Sequence, residues 1–420
     1  MKRVIIYGFG EAGKQIAESI IENGNYEIIG FLDDDKKKFG LEYKNLRVLG
    51  DINDLKEIKK IQKIDTLIIA MPSASIERIR EIELIALKNY ITDIKVVPSI
   101  YVRKEKVFLK HVVDVDIFDI FKKRFISVNY EILENFYKGK TILITGGAGT
   151  IGSMLSKELS KFNIEKVVLM DIDETRLYDL EVDLDDKRFE IYLGDITDDY
   201  CLNEIFKRKF DIVIHTAAYK HVHLVEKFKY IAYKTNVIGT KKLVDYSKMN
   251  NIEKFIFIST DKAVEPISFM GKTKKIAENY VIKNKYTAIR FGNVINSRGS
   301  LIPTILRQIE KGYVKITHKD AKRYFITPKE AILLILSSVV ISKGGEIFVL
   351  DMGEPVNIKN LIEKLIEVLG YKPYEDIKII FTNLREGEKI EEKLIEEDEK
   401  LEKTEFEFIY KIEKSGEGGI

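Results

Sequence analysis

Three consecutive residues, Thr260, Asp261 and Lys262, place a hydroxyl, a carboxyl and an amine side by side. A carboxyl can release a proton and a neutral amine can accept one, so this run holds both halves of general acid–base chemistry. Lysine serves as a base only when neutral, a state that burial and a second nearby cation favour. Aspartic acid serves as a proton donor only where the site is shielded from water. Met270 and Lys274 follow. Four residues apart on a helix they share a face, so Lys274 supplies the nearby cation. Methionine cannot move a proton, and position 270 adds none of that chemistry.

Such groups need a rigid frame, and the chain reads as one. Val4–Tyr7, Glu27–Phe31, Asp65–Ala70 and Ile94–Val97 are short apolar runs separated by stretches of helical periodicity, Glu11–Glu22 and Ile76–Tyr90. Apolar strands alternating with amphipathic helices indicate a parallel α/β sheet. The rhythm lapses from about 104 to 137, where Asp114–Asp119 and Lys122-Lys123-Arg124 read as a surface connector. It restarts with Thr141–Ile144, Lys166–Met170, Phe189–Leu193, Asp211–Ile214, Lys254–Ile258 and Thr287–Arg290. The expected fold is therefore α/β, with two Rossmann-like parallel-sheet domains. The first spans 1–103 and a linker 104–137. The second, 138–420, has a cofactor half to about 290, a substrate half to about 395 and a flexible tail beyond.

Each domain opens with a glycine loop between strand and helix. Gly8-Phe9-Gly10-Glu11-Ala12-Gly13 is followed 20 residues later by Asp33, the place of a ribose-binding acid. This loop reads equally well as a nucleotide site or as an inherited fold without a ligand. Thr145-Gly146-Gly147-Ala148-Gly149-Thr150-Ile151-Gly152 is the stronger signal, because Asp171 ends the next strand 19 residues on and Asp195-Ile196 follows the third. A carboxylate at 171 accepts both ribose hydroxyls of NAD and repels the extra phosphate of NADP. Arg176, close in sequence, leaves NADP open.

The TGxxGxxG spacing and the Ser-Thr-Asp-Lys segment with Met-x-x-x-Lys resemble the extended short-chain dehydrogenases. More closely, they resemble the polysaccharide-biosynthesis branch of UDP-N-acetylglucosamine 4,6-dehydratases, in its subgroup with methionine for tyrosine. His215–Val222, Asn236-Val237-Ile238-Gly239-Thr240, Arg290–Val294, Asn296–Ser300 and Arg323-Tyr324-Phe325 match its pattern, as does Leu384–Lys389 without the family's proline. The resemblance covers about 138–395, and the first domain resembles the family's N-terminal domain. It implies that hydride leaves C4 of the sugar for NAD, Lys262 removes the C5 proton, Asp261 protonates the departing C6 hydroxyl, and the hydride returns to C6. Thr260 would bind the C4 oxygen and Lys274 the nicotinamide ribose. Gly146, Gly149, Thr150, Ile151, Gly152, Asp171, Asp195, Ile196, Ala217 and Ala218 would line the cofactor. Lys220, Asn293, Arg323 and Arg385 would meet the nucleotide sugar, Asn293 and the arginines at its pyrophosphate, and Glu388 the uridine ribose. The subgroup implies retention at C5 and assembly as a homodimer or higher homo-oligomer. Alternatives are a C5-inverting dehydratase, a nucleotide-sugar 4-epimerase, which needs an acid–base where Met270 stands, and a non-catalytic nucleotide sensor.

The bulk properties narrow the field. Lysine and arginine total 69 and aspartate and glutamate 67, a net +2 that lacks the footprint of a nucleic-acid binder. Cys201 is the single cysteine, so neither an intrachain disulfide nor a thiolate metal site is expected, and a reducing cytoplasm fits. His221 and His223 have no carboxylates in ligand spacing, and no metal is expected. His215 reads as structural. Ala331–Ile341, the longest apolar stretch, holds two serines and is about half the ~20 residues a span requires.

Overall fold

The computed structural model describes residues 2–23, 26–71, 74, 76–89, 91, 93–97, 113–115, 128–295, 301–368 and 371–414. Two compact units emerge. Met1–Arg124 groups with Ile305–Val314 and Ile362–Ile379, and Phe125–Thr304 groups with Lys315–Leu361 and Ile380–Ile420.

In the first unit, β1 (Lys2–Tyr7), β2 (Tyr26–Leu32), β3 (Thr66–Ile69), β4 (Asp93–Val96) and β5 (Val113–Val115) form one sheet in the order β2-β1-β3-β4-β5. The first four run parallel and β5 antiparallel to β4. Part of the expected connector is thus an edge strand. Asp116–Asp119 and 122–124 lie outside the described residues. Helix α1 (Glu11–Asn23) follows the glycine loop and buries Ile16, Ala17 and Ile20.

The second unit holds a nine-stranded sheet. Its strands are β6 (Thr141–Thr145), β7 (Lys166–Asp171), β8 (Phe189–Leu193), β9 (Ile212–His215), β10 (Lys254–Ile258), β11 (Thr287–Arg290), β12 (Ile347–Leu350), β13 (Glu399–Lys403) and β14 (Ile409–Lys414). They lie in the order β8-β7-β6-β9-β10-β11-β12-β14-β13. Strands buried on both faces carry the near-continuous apolar runs, such as the fully buried Ile212–His215. The order reverses between β6 and β9, which is where a doubly wound sheet opens a ligand crevice.

Two expectations about this unit change. Helix α2 (Tyr130–Tyr137), placed in the linker by its lack of repeat, buries Leu133 and Tyr137 in the core, and Tyr137 Oη donates to the Leu336 carbonyl at 2.9 Å. The supposed tail beyond 395 folds as β13 and β14, which pair antiparallel and extend the sheet from β12. Its charges misled because β13 is an edge strand whose side chains from Lys400 to Lys403 face water. The apolar stretch 331–341 belongs to α6 (Pro328–Ile341), named after α3 (Thr150–Leu159), α4 (Thr240–Met249) and α5 (Phe269–Lys283). A Thr327/Glu330 capping box and Pro328 start α6, and it is buried almost all round. Among the described residues no helix is long and apolar enough to cross a membrane.

Candidate active site

The second glycine loop turns sharply from β6 into α3. Gly146 has φ +70°, and a Cβ there would stand 2.6 Å from the Ala217 nitrogen; a Cβ at Gly152 would stand 2.3 Å from the Gly146 carbonyl. Only glycine fits either place, which keeps the backbone low enough for a pyrophosphate to approach the start of α3 at Gly149, Thr150 and Ile151. Asp171 ends β7 with its carboxylate accepting from the amides of Ala148, Ile172 and Asp173 at 3.0, 2.8 and 3.1 Å. These bonds tie the acid to the loop. Asp195 accepts from the Thr197 amide at 2.8 Å, while Ile196 is buried against Gly239. Ala217 and Ala218 follow β9 and stay partly open.

Beneath this wall His215 is fully buried between Thr145 Oγ1, 2.7 Å from Nδ1, and Thr240 Oγ1, 2.9 Å from Nε2. Thr240 already donates its hydroxyl proton to the Asn236 carbonyl. It must therefore accept from Nε2–H, leaving Nδ1 to accept from Thr145. Burial, with Lys274 adding to it, lowers the imidazole to about 3, so this histidine is neutral and structural.

The acid–base run sits at the end of β10. Thr260 caps the short turn Asp261–Ala263, and its hydroxyl donates to Asp261 Oδ1 at 2.8 Å. Asp261 is fully buried, and its amide donates to the Phe291 carbonyl at 3.1 Å. Lys262 Nζ donates to the same Oδ1 at 3.0 Å and to Asn293 Oδ1 at 3.4 Å. Asn293 is fixed by parallel pairing with Phe325. Asp261 Oδ2 is sealed from solvent without a hydrogen-bond partner. Gly292 leaves room for it, since a Cβ there would come 3.1 Å from Oδ2 and 2.9 Å from Tyr324 Cβ.

The protonation of the two lysines is the reverse of the expectation. Burial pushes Lys262 down, but the carboxylates of Asp261 and Glu392 outweigh it and raise the ammonium above the ordinary lysine range. It is Lys274 that falls, to about 7, because burial dominates and Glu278 opposes it only weakly. Lys274 Nζ donates to the Ile258 carbonyl at 2.6 Å and lies 4.3 Å from the Phe257 ring centroid. Met270, one turn earlier on α5, packs with Val225 and Ala232.

The lysine shift has a consequence for stability. An unfolded lysine titrates near ~10.4. Between about pH 7 and that value the unfolded chain holds one more proton than the native one, so stability rises with pH by up to ~1.4 kcal/mol per unit. Lys274→Met should remove this slope. Urea midpoints of both proteins across that range test it, and parallel curves would contradict it.

Among the residues expected to meet the nucleotide sugar, Arg323 donates to the carbonyls of Lys322, Ile390 and Lys389 at 2.7, 2.9 and 2.8 Å, the contacts of a clamp on the 389–390 backbone. Glu388 accepts from the Arg385 amide at 3.2 Å, closing the turn that exposes the arginine. Gly387, at φ +80°, brings this turn against Ser268, which caps α5. Lys220 is exposed on the loop after β9.

Sequence reasoning missed the roles of three residues. Glu392 reaches 3.6 Å from Lys262 Nζ out of a charged run that read as solvated. Arg290 is wholly buried between Glu278 and Glu399. Asn236, inside the noted Asn-Val-Ile-Gly-Thr stretch, bonds both backbone groups of Tyr219 and Thr273 Oγ1, joining the loop after β9 to α5. The six-residue π-helix Lys234–Gly239 that aims it leaves no periodic mark in the sequence. In the first unit, Asp33 accepts from the Phe9 and Asp35 amides and pairs with Lys38 at 3.0 Å. Burial works against its charge, but those partners hold it below the ordinary carboxylate range.

Residues 3–78 match the PglD N-terminal domain, and residues 142–414 match a family described as polysaccharide biosynthesis protein. A membrane protein of uncharacterised function from Methanocaldococcus jannaschii is 43% identical over 304 residues, 69% of this chain and 90% of its own length. The probable polysaccharide biosynthesis protein EpsC of Bacillus subtilis is 34% identical over 94% of this chain and 69% of its own. A UDP-N-acetylglucosamine 4,6-dehydratase (inverting) of Campylobacter jejuni is 32% identical over 66% and 84% respectively. A UDP-glucose 4-epimerase of Rickettsia akari reaches 30% over the same shares. Among solved structures, Pen of Bacillus thuringiensis superposes with a TM-score of 0.61 at 30% identity, covering 68% of this chain and 89% of Pen. DesIV, a dTDP-glucose 4,6-dehydratase from Streptomyces venezuelae solved with NAD and TYD bound, shares the fold at a TM-score of 0.55 and 20% identity, covering 61% and 88%. The family match starts in the strand that carries the second glycine loop and ends in β14, so this chain belongs to the polysaccharide biosynthesis protein family of extended short-chain dehydrogenases that modify nucleotide sugars.

Proposed function

We propose that the chain is a nucleotide-sugar 4,6-dehydratase that uses NAD and converts a UDP-N-acetylhexosamine, UDP-N-acetylglucosamine first, to its 4-keto-6-deoxy product with retention at C5. The observation that carries the reading is the Thr260-Asp261-Lys262 cluster around a buried Asp261, in which one carboxylate oxygen is sealed and without a hydrogen bond beside an amine. The cradle that a Cβ at Gly146 or Gly152 would fill, with Asp171 tied to it, fits a dinucleotide. Bound NAD supplies a temporary oxidation at C4, which acidifies the C5 proton. Lys262 takes that proton as a neutral amine. Asp261 takes the proton of the C4 hydroxyl as the hydride leaves and delivers it to the C6 oxygen, which leaves as water. Thr260 turns its hydroxyl from Asp261 Oδ1 to the C4 oxygen, and Lys274 binds the nicotinamide ribose. Asn293, Lys220, Arg385, Glu388 and the unused donors of Arg323 receive the nucleotide sugar. A homo-oligomer is part of the proposal.

Retention rests on Met270, which the sequence resemblance ties to the retaining subgroup. The 4-epimerase relatives keep a second reading alive, and Met270 argues against it because that reaction wants a proton carrier at this position. The test is incubation of the purified chain with UDP-N-acetylglucosamine in deuterated water, read by NMR. A 4-keto-6-deoxy sugar with deuterium at C5 is expected, its ring couplings giving the stereochemistry. Conversion to the C4 epimer alone would sink the reading.

The cofactor preference has its own check. Asp171→Ala should weaken NAD binding by about 10- to 100-fold, in line with the ~1.5–3 kcal/mol of hydrogen bonds to a charged group. It should also narrow the gap to NADP. Calorimetric titration with both dinucleotides measures this, and unchanged NAD affinity would remove Asp171 from the site.

A further inference from the structure

Glu392 is a buried carboxylate, 4% exposed, that reaches the acid–base cluster from a distant part of the chain. Its Oε1 lies 3.6 Å from Lys262 Nζ, and its Oε2 is shut off from water with no hydrogen-bond partner. The nearest other cation is Lys389, 3.9 Å from Oε2, whose amine donates to the Val264 carbonyl at 2.7 Å. The segment is pinned on several sides. Arg323 holds the carbonyls of Lys389 and Ile390, the Lys322 amide donates to Ile390, and Leu394 packs into both core clusters of the unit. A buried carboxylate oxygen without a hydrogen bond is costly, and the two ammoniums at 3.6 and 3.9 Å are what offset that cost.

The dehydratase reading leaves a gap that this residue fills. Lys262 must shed a proton before it can act at C5, yet two carboxylates favour its charged form. Asp261 does not hold that proton, because it takes the one from the C4 hydroxyl, and its Oδ1 already accepts from Thr260 and Lys262. Glu392 is the remaining carboxylate within reach. Resting on the dehydratase reading, we infer that Glu392 is a positioning residue that takes the ammonium proton of Lys262 when the sugar is bound and returns it after turnover. In the forward step one N–H bond breaks and one O–H bond forms, giving a neutral amine and a neutral carboxyl with no change of oxidation state. The amine then accepts the C5 proton and later gives a proton back to C5. The proton held on Glu392 finally restores the ammonium.

The groups facing this exchange are Asp261, Glu392 and Arg323 around Lys262, and Lys262 and Lys389 around Glu392. The test compares wild type, Glu392→Gln and Glu392→Asp with UDP-N-acetylglucosamine across pH. Glu392→Gln should lower kcat by about 100-fold with KM within about threefold. It should also move the acid limb of the kcat profile, because the proton must leave to solvent. Glu392→Asp should recover part of the rate, and thermal midpoints should stay close together. An active wild type with an equally active glutamine variant would overturn the relay alone. A loss that tracks a lowered melting point, leaves the pH profile unmoved and is not rescued by aspartate would also overturn it, as a structural role. A wild type silent on every UDP-sugar tried would instead remove the dehydratase reading, and the relay with it.

Discussion

Lys262→Met should lower kcat by about 10³-fold, within the ~10²–10⁴ that a positioned acid or base contributes, and should abolish deuterium entry at C5. Methionine keeps most of the stem and none of the basicity. Two carboxylate oxygens lose their cation at once, because Lys262 faces Asp261 Oδ1 at 3.0 Å and Glu392 Oε1 at 3.6 Å. Two acids left together in a buried place do not both stay ionised, so the variant should fold by taking up a proton. This separates chemistry from stability: the variant should unfold cooperatively and still bind NAD. The check is C5 exchange by NMR beside calorimetric NAD binding. Turnover within tenfold of wild type would remove Lys262 from the role of base.

The second large effect is on stability. Arg290→Met should cost about 3–5 kcal/mol, the range for breaking a buried pair from one side. The guanidinium is wholly buried and donates to both oxygens of Glu278, at 2.9 and 2.6 Å, and to both of Glu399, at 2.6 and 3.1 Å. Removing it strands two acids, whereas the triple replacement Arg290→Met with Glu278→Gln and Glu399→Gln should recover much of the loss. The pH dependence follows in sign. Burial would raise Glu399, but Arg290 and the Glu396 amide hold it below the ordinary range. A depressed acid stabilises the fold above its unfolded value near ~4.3 and loses that contribution as pH falls through the folded value. Wild type should therefore lose stability below about pH 4.3 more steeply than Arg290→Met does. Urea midpoints of the three proteins decide it. Ser259 donates to Glu278 at 2.7 Å one residue before Thr260, so the single variant should lose turnover as well.

Much of this frame was legible because central strands have nowhere to hide polar groups. Lys254–Ile258 and Ile212–His215 announced themselves as apolar runs, and Asp171 lay where the second strand of such a sheet must end. The edges were not legible. A solvated edge strand such as Glu399–Lys403 needs charge to stay unpaired, and charge is what made it resemble a tail. Helix Tyr130–Tyr137, at eight residues, is too short for its period to stand out. Among site residues, those on one local motif were found together, Thr260, Asp261, Lys262 and Lys274. Glu392 was not, because its partnership with Lys262 exists only after the chain has folded. The same fact explains the exchanged lysine pKa values. The sequence displays Lys274 near Lys262, but the carboxylate that charges Lys262 comes from far along the chain.

The arginine between two glutamates also orders events during synthesis. Glu278 and Arg290 leave the ribosome well before Glu399, so the emerging domain carries β11 with half of a buried ion cluster missing. Until β13 and β14 arrive, β12 keeps an open edge and Arg290 keeps an unmatched donor pair. Closure of the sheet is thus a late, single step that supplies the strand, the carboxylate and the Glu392 segment before it together. A nascent chain stalled short of that step has an open sheet edge at β12 and no Glu392 beside Lys262.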